Sequence, residues 1–118
     1  KIDMAEILTP EMSQLEQVKA IHDYMVINFD YDYTNVQAGT IPATSYTAEG
    51  MLSTSYGVSA GYAKTFELLC DCAGIETKYI VGITYDGLQI WNHVKVDNQW
   101  YNMDVTMDDP FVEGKNFD

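Results

Sequence analysis

Ser59 stands in the part of the chain best suited to present a nucleophile. It belongs to residues 56–62, Tyr-Gly-Val-Ser-Ala-Gly-Tyr, a turn of small residues that runs directly into an apolar helix. At a helix N-terminus, unsatisfied N–H groups and the positive end of the helix dipole favour an anionic side chain. A cysteine here would have a lowered pKa and would attack carbonyl groups. A serine hydroxyl stays protonated without a strong base beside it, and its structural alternative is to cap the helix.

Candidate partners for Ser59 lie in two predicted strands further along the chain. Asp97-Asn98 is typical of a two-residue hairpin turn, and counting outward from it pairs Val96 with Gln99. Because alternate residues of a strand share a face, one face of the hairpin is polar and the other is apolar. The polar face carries Gln89, Trp91, His93, Asn102 and Asp104, and the apolar face carries Ile90, Val94, Val96, Tyr101, Met103 and Val105. We expect the helix to bring Ser59 to the polar face from across a cleft.

The elements that must position these residues form an α+β pattern. Thr9-Pro10 is a typical helix start and predicts a first helix over 10–29. Residues 30–56 predict a loop, packed by its own tyrosines, with a short helix near 48–52. A second helix is expected over 59–73, followed by antiparallel strands at 77–84, 89–96 and 99–106, with a turn at Asp86-Gly87.

Composition limits the possible functions. The chain has 118 residues, of which 47% are apolar, enough for one domain with one core. The net charge of −12, with six lysines and no arginine, argues against nucleic-acid binding and anionic membranes. No apolar run approaches the length of a membrane span, so membrane insertion is not expected. The start at Lys1, without methionine, suggests that 1–118 is a single domain from a longer protein.

The two cysteines predict neither a disulfide nor a metal site. Cys70 and Cys72 are two residues apart on one predicted helix, so their side chains point in different directions. Cys70 falls on the apolar side of that helix and is expected to be a buried thiol. Two cysteines at this spacing, with two histidines in the chain, do not make a zinc site. We therefore expect no metal and no cofactor.

Taken together, these segments resemble the transglutaminase-like superfamily, the papain-related core of many bacterial proteins. The matching segments follow in the expected order: 21–24 (IHDY), 57–63 (GVSAGYA), 72–75 (CAGI), 91–97 (WNHVKVD) and 100–110 (WYNMDVTMDDP). The resemblance implies a nucleophile helix packed on an antiparallel sheet of three or four strands, after an N-terminal helix. It also implies acyl transfer on amides by a cysteine, a histidine and an aspartate.

Carried over to this chain, the triad positions are Ser59, Gln89 and Asp104. Asp104 matches the aspartate, whereas Ser59 replaces the cysteine and Gln89 replaces the histidine. A carboxamide cannot take up a proton near neutral pH, so the resemblance predicts a degenerate triad. His93 is the alternative base, and Tyr56, Gly57 and Trp91 are candidates for substrate binding.

Three functions remain open from the sequence. The first is a catalytically inactive module that binds a peptide or protein amide, or has a structural role, within a bacterial cell-surface protein. The second is an active cysteine peptidase or transglutaminase captured as a Cys-to-Ser variant, against which Gln89 argues. The third is a serine hydrolase using Ser59, His93 and Asp104. The sequence leaves the oligomeric state open.

Overall fold

The computed structural model describes residues 4–85 and 87–106 and has four α-helices and five strands in that part of the chain. The helices are α1 (Gln14–Asn28), α2 (Tyr33–Ala38), α3 (Ala48–Thr54) and α4 (Ser59–Cys72). The strands are β1 (Asp30–Tyr31), β2 (Tyr56–Gly57), β3 (Thr77–Thr84), β4 (Gly87–Val96) and β5 (Gln99–Met103). Short 3-10 turns occupy Met4–Glu6 and Ala43–Tyr46. The α+β prediction is confirmed.

Helix α1 begins later than the sequence predicted. Ser13 is its N-cap, and its side chain and that of Glu16 bond reciprocally to each other's backbone N–H groups. This capping box satisfies two donors that a helix start otherwise leaves unpaired. Thr9 instead accepts a turn hydrogen bond from Met12 N–H at 3.2 Å. The predicted start at Thr9-Pro10 is therefore wrong by four residues.

Residues 30–56 are more ordered than a loop. Strands β1 and β2 pair in parallel, with Asp30 opposite Tyr56. The buried Asp32 carboxylate accepts hydrogen bonds from Ser45 Oγ at 2.7 Å and Asn35 Nδ2 at 3.0 Å. The Tyr31 ring lies 4.7 Å from that of Tyr33. Packing by tyrosines and the short helix near 48–52 were predicted correctly, whereas α2 and the 3-10 turn were not.

The main sheet has the strand order β3-β4-β5 and is antiparallel. Val96 pairs with Gln99 and His93 with Asn102, so the predicted register is confirmed within the ladder. Asp97 and Asn98 have positive φ values of 51° and 69°, as a type I′ turn requires. Strand β5 ends before the predicted residue 106. Gly87 already belongs to β4, and Asp86 lies outside the described residues.

Helix α4 packs on the apolar face of this sheet. That face contributes Val94, Val96 and Met103 to the core, where they meet Phe66 and Leu69 of the helix. Cys70 is fully buried there, as predicted, and Cys72 is exposed; both thiols are free. Among the described helices, none has the length and apolar composition needed to cross a membrane.

Candidate functional site

Ser59 is the first residue of α4, and it does not cap the helix. Val58 occupies the N-cap position in an extended conformation, and its side chain makes no capping hydrogen bond. The first intrahelical bond runs from Tyr62 N–H to Val58 C=O at 3.0 Å. The capping interpretation of Ser59 is therefore wrong. Its hydroxyl lies half-buried beside an uncapped helix terminus.

Two glycines allow the turn before α4 to approach its neighbours closely. A Cβ atom on Gly57 would overlap the Met51 side chain, coming within 2.7 Å of its Cγ. A Cβ atom on Gly61 would overlap the Ser45 carbonyl oxygen and lie 2.8 Å from Met51 Sδ. The Ser45 carbonyl also accepts a hydrogen bond from Val58 N–H at 3.0 Å. The turn that presents Ser59 is thus held in place by packing against the segment 43–51.

Ser59 opens into a shallow apolar cleft of about 210 Å³. Strand β4 forms one wall of this cleft with Leu88 and Ile90. The rest of the lining comes from the segment before the helix and from the helix start: Tyr31, Val36, Ile41, Tyr46, Val58 and Ala60. Among the described residues that line it, none carries a carboxylate, an imidazole or an amine. The cleft therefore suits an apolar side chain better than an ionic group.

The proposed base positions lie on the other face of β4. Gln89 stands between the cleft residues Leu88 and Ile90 and pairs with Gly82 in a regular ladder. Because side chains alternate along a strand, Gln89 and His93 are directed away from α4. No described hydrogen bond joins Ser59 to either of them. Helix α4 covers the apolar side of the hairpin, and the expectation that Ser59 faces the polar side stays a prediction.

The polar face nevertheless assembles as its sequence spacing predicted. Trp91 Nε1 donates a hydrogen bond to Asn102 Oδ1 at 3.3 Å across β4 and β5. The same indole lies against Gly82, where an added Cβ would come within 2.7 Å of the ring. Asp104 is half-buried directly after β5. The assignment of Ser59, Gln89 and Asp104 as remnants of a triad stays a prediction.

The candidate binding residues are divided between different parts of the molecule. Tyr56 is half-exposed and lines a separate pocket of about 370 Å³ together with Asp32 and Ser45. Gly57 is buried against Met51, and Trp91 lies on the outer face of the sheet. The Ser59 cleft is instead lined by Leu88 and Ile90, which were not predicted as site residues. Their alternation with Gln89 in one strand is the signal that could have identified them.

Tyr31 is the cleft residue whose electrostatics are perturbed. Burial raises the pKa of its hydroxyl, and the neighbouring Tyr33, Tyr46 and Asp32 raise it further. The phenol therefore stays protonated near neutral pH and can donate a hydrogen bond, but it does not act as a base. Within the described ranges, no three His, Cys, Asp or Glu side chains are grouped so as to hold a metal ion.

The family model that matches the chain is that of the transglutaminase-like superfamily, over residues 4–105. The chain belongs to this superfamily. Two solved structures share the fold: a transglutaminase (TM-score 0.69, 17% identity, 89% of this chain) and a predicted cysteine protease from Cytophaga hutchinsonii (TM-score 0.62, 20% identity, 76% of this chain). The matched part spans 28% and 30% of those two chains, respectively. A comparison with curated proteins gave no match.

Proposed function

We propose that this transglutaminase-like domain is catalytically silent and binds a peptide or protein amide as a module of a longer bacterial surface protein. The observation that carries the proposal is the absence of a base among the described residues that line the cleft around Ser59. A serine without a base remains a neutral hydroxyl and is a poor nucleophile. The partial coverage of the structural neighbours is consistent with a module in a larger chain.

The cleft offers features that suit a peptide ligand. Leu88 is 65% exposed and Tyr46 is 42% exposed, so both present apolar surface to an incoming side chain. The N–H groups at the start of α4 carry no side-chain cap and can donate to a carbonyl oxygen of the ligand. A peptide with an aliphatic or aromatic side chain would fill the cleft while its carbonyl met the helix terminus.

The two catalytic alternatives require rearrangements that the described geometry does not favour. A hydrolase using Ser59 and His93 needs the imidazole to cross from the outer face of β4 to the cleft. A Cys-to-Ser variant of an active enzyme still lacks an imidazole at position 89. Loss of the nucleophile or of the base alone costs orders of magnitude in rate in hydrolases of this kind. Both alternatives therefore serve as outcomes against which the proposal is tested.

The test is an acyl-transfer assay with three matched proteins: the natural chain, Ser59→Ala and Ser59→Cys. Each is incubated with a glutamine-bearing peptide and a fluorescent primary amine, and both amine incorporation and peptide hydrolysis are followed by mass spectrometry. We expect no turnover from any of them. Turnover by the natural chain that disappears in Ser59→Ala would overturn the proposal in favour of a serine hydrolase, and turnover by Ser59→Cys in favour of a cysteine enzyme.

A further inference from the structure

Strand β3 leaves one side of its backbone without a partner in the described part of the chain. It is an edge strand of the three-stranded sheet. Lys95 N–H donates to Glu76 C=O at 3.0 Å, and the antiparallel register continues from that pair without a bulge. Hydrogen-bonded pairs alternate in such a ladder, so the even-numbered residues of β3 bond to β4. The main-chain groups of Thr77, Tyr79, Val81 and Ile83 therefore point outward.

This edge is long and apolar, unlike the protected edges of most sheets. Eight residues form β3, and Lys78 is the charged residue among them. Val81 is 54% exposed and Ile83 is 87% exposed. Exposed edges of this kind are normally shortened, charged or covered, because they pair readily with another strand. The β3 edge therefore has the properties of a strand-pairing site.

A large groove adjoins this edge. It has a volume of about 880 Å³ and lies between α4 and the beginning of β3. Its lining combines the helix side chains Lys64, Glu67, Leu68 and Asp71 with residues 74–78 and Trp100. A strand edge beside a helix groove is the arrangement by which several domains bind extended peptides through added β-strands.

The charges of the groove indicate what kind of peptide it accepts. Glu67 and Asp71 are one helical turn apart on the α4 wall, and no ion pair of the described residues includes either of them. The two lysines that line the groove lie over aromatic rings: Lys64 Nζ is 5.9 Å from the centroid of the Tyr79 ring, and Lys78 Nζ is 4.6 Å from that of Trp100. A basic side chain of a bound segment would complement the two carboxylates of α4.

We propose that β3 and the groove beside α4 bind an extended segment of a partner protein that carries a lysine or arginine. The segment adds a fourth strand at Thr77, Tyr79, Val81 and Ile83 and directs its basic side chain toward Glu67 and Asp71. A second copy of this chain is a poorer occupant, because each copy carries a net charge of −12 and the copies repel each other. The Ser59 cleft adjoins one end of this edge, because its lining residues Leu88 and Ile90 pair with Ile83 and Val81.

The test begins with a phage-displayed library of random octapeptides, selected on the full chain. We expect the enriched peptides to contain lysine or arginine, and synthetic versions are then titrated by calorimetry. Val81→Pro removes an outward N–H group and should weaken binding at least tenfold. Val36→Ala changes the Ser59 cleft at a position outside β3 and β4 and should leave the affinity unchanged. Circular dichroism establishes that each variant is folded.

A charge-swap pair keeps the test informative if Val81→Pro does not fold. The double variant Glu67→Lys, Asp71→Lys changes solvent-accessible positions. Its affinity for a basic peptide should be about tenfold lower than that of the natural chain. Its affinity for the same peptide with glutamate in place of the basic residue should be higher. The proposal is overturned if no peptide is enriched, or if neither the proline nor the charge changes alter binding. It is also overturned if Val36→Ala abolishes binding, or if the chain forms a dimer that Val81→Pro dissociates.

Discussion

Gly61→Ala tests whether the turn that presents Ser59 depends on close backbone packing. Gly61 lies in the first turn of α4, where an added methyl group would overlap the Ser45 carbonyl oxygen and lie 2.8 Å from Met51 Sδ. Met51 is fully buried, and the Ser45 carbonyl is held by Val58 N–H. Neither neighbour can move away without disturbing the core or the N-cap residue of the helix.

Three contributions determine how Gly61→Ala changes the free energy of unfolding. Forcing a methyl group into packed surroundings typically costs about 1–3 kcal/mol. Displacing the Ser45 carbonyl from Val58 N–H loses a hydrogen bond worth about 1 kcal/mol. The higher helix propensity of alanine stabilises the variant by about 1 kcal/mol, which nearly cancels the cost of the lost hydrogen bond. We therefore expect Gly61→Ala to destabilise the domain by about 1–3 kcal/mol.

Urea unfolding followed by circular dichroism measures this difference by linear extrapolation. Ala60→Gly is the matched control, because it reports the helix-propensity term at the neighbouring position and should cost about 1 kcal/mol. The sign of the change in the free energy of unfolding caused by Gly61→Ala decides whether Gly61 packs closely against Ser45. A variant as stable as the natural chain, or more stable by the propensity term, would refute the close approach of Gly61 to Ser45.

Three further predictions concern other parts of the fold. Ser13→Ala should cost about 1 kcal/mol in urea unfolding because it removes the N-cap of α1, whereas Thr9→Ala should have no comparable effect. Ser45→Ala should cost about 1.5–3 kcal/mol, because it removes a hydrogen bond to a buried carboxylate; an unchanged urea midpoint would contradict that bond. Burial raises the pKa of the Cys70 thiol, so iodoacetamide should label Cys72 in the native state and Cys70 only in denaturant, as mass spectrometry can establish.

The elements that local sequence specifies were predicted closely. Helix α4 was expected over 59–73 and extends over Ser59–Cys72, because its apolar spacing and the following Gly74 leave few alternatives. The register of β4 and β5 followed from Asp97-Asn98, whose positive φ values fix a two-residue turn. In these segments the turn residues and the hydrophobic periodicity indicate the same structure, so the local sequence is sufficient to predict the helix bounds and the strand register.

Features that depend on tertiary contacts could not be predicted in this way. The elements between Asp30 and Tyr56 are stabilised by the buried hydrogen bonds of Asp32 to Ser45 and Asn35, which join residues up to 13 positions apart. The surroundings of Ser59 are another such feature. The helix that carries Ser59 also buries the apolar face of the sheet, and this packing brings Leu88 and Ile90 into the cleft beside it.

The residues that carry the family resemblance fall into two groups: those that stabilise the fold and those that do not. Gly57 and Gly61 are required for close packing, and Asn92 donates hydrogen bonds from the core to the carbonyls of Ala63 and Lys78 at 3.2 and 3.3 Å. Ser59 and Gln89 depart from the pattern, and neither makes a side-chain hydrogen bond within the described structure. The fold therefore does not depend on side-chain hydrogen bonds at these two positions, whereas it depends on the two glycines and on Asn92.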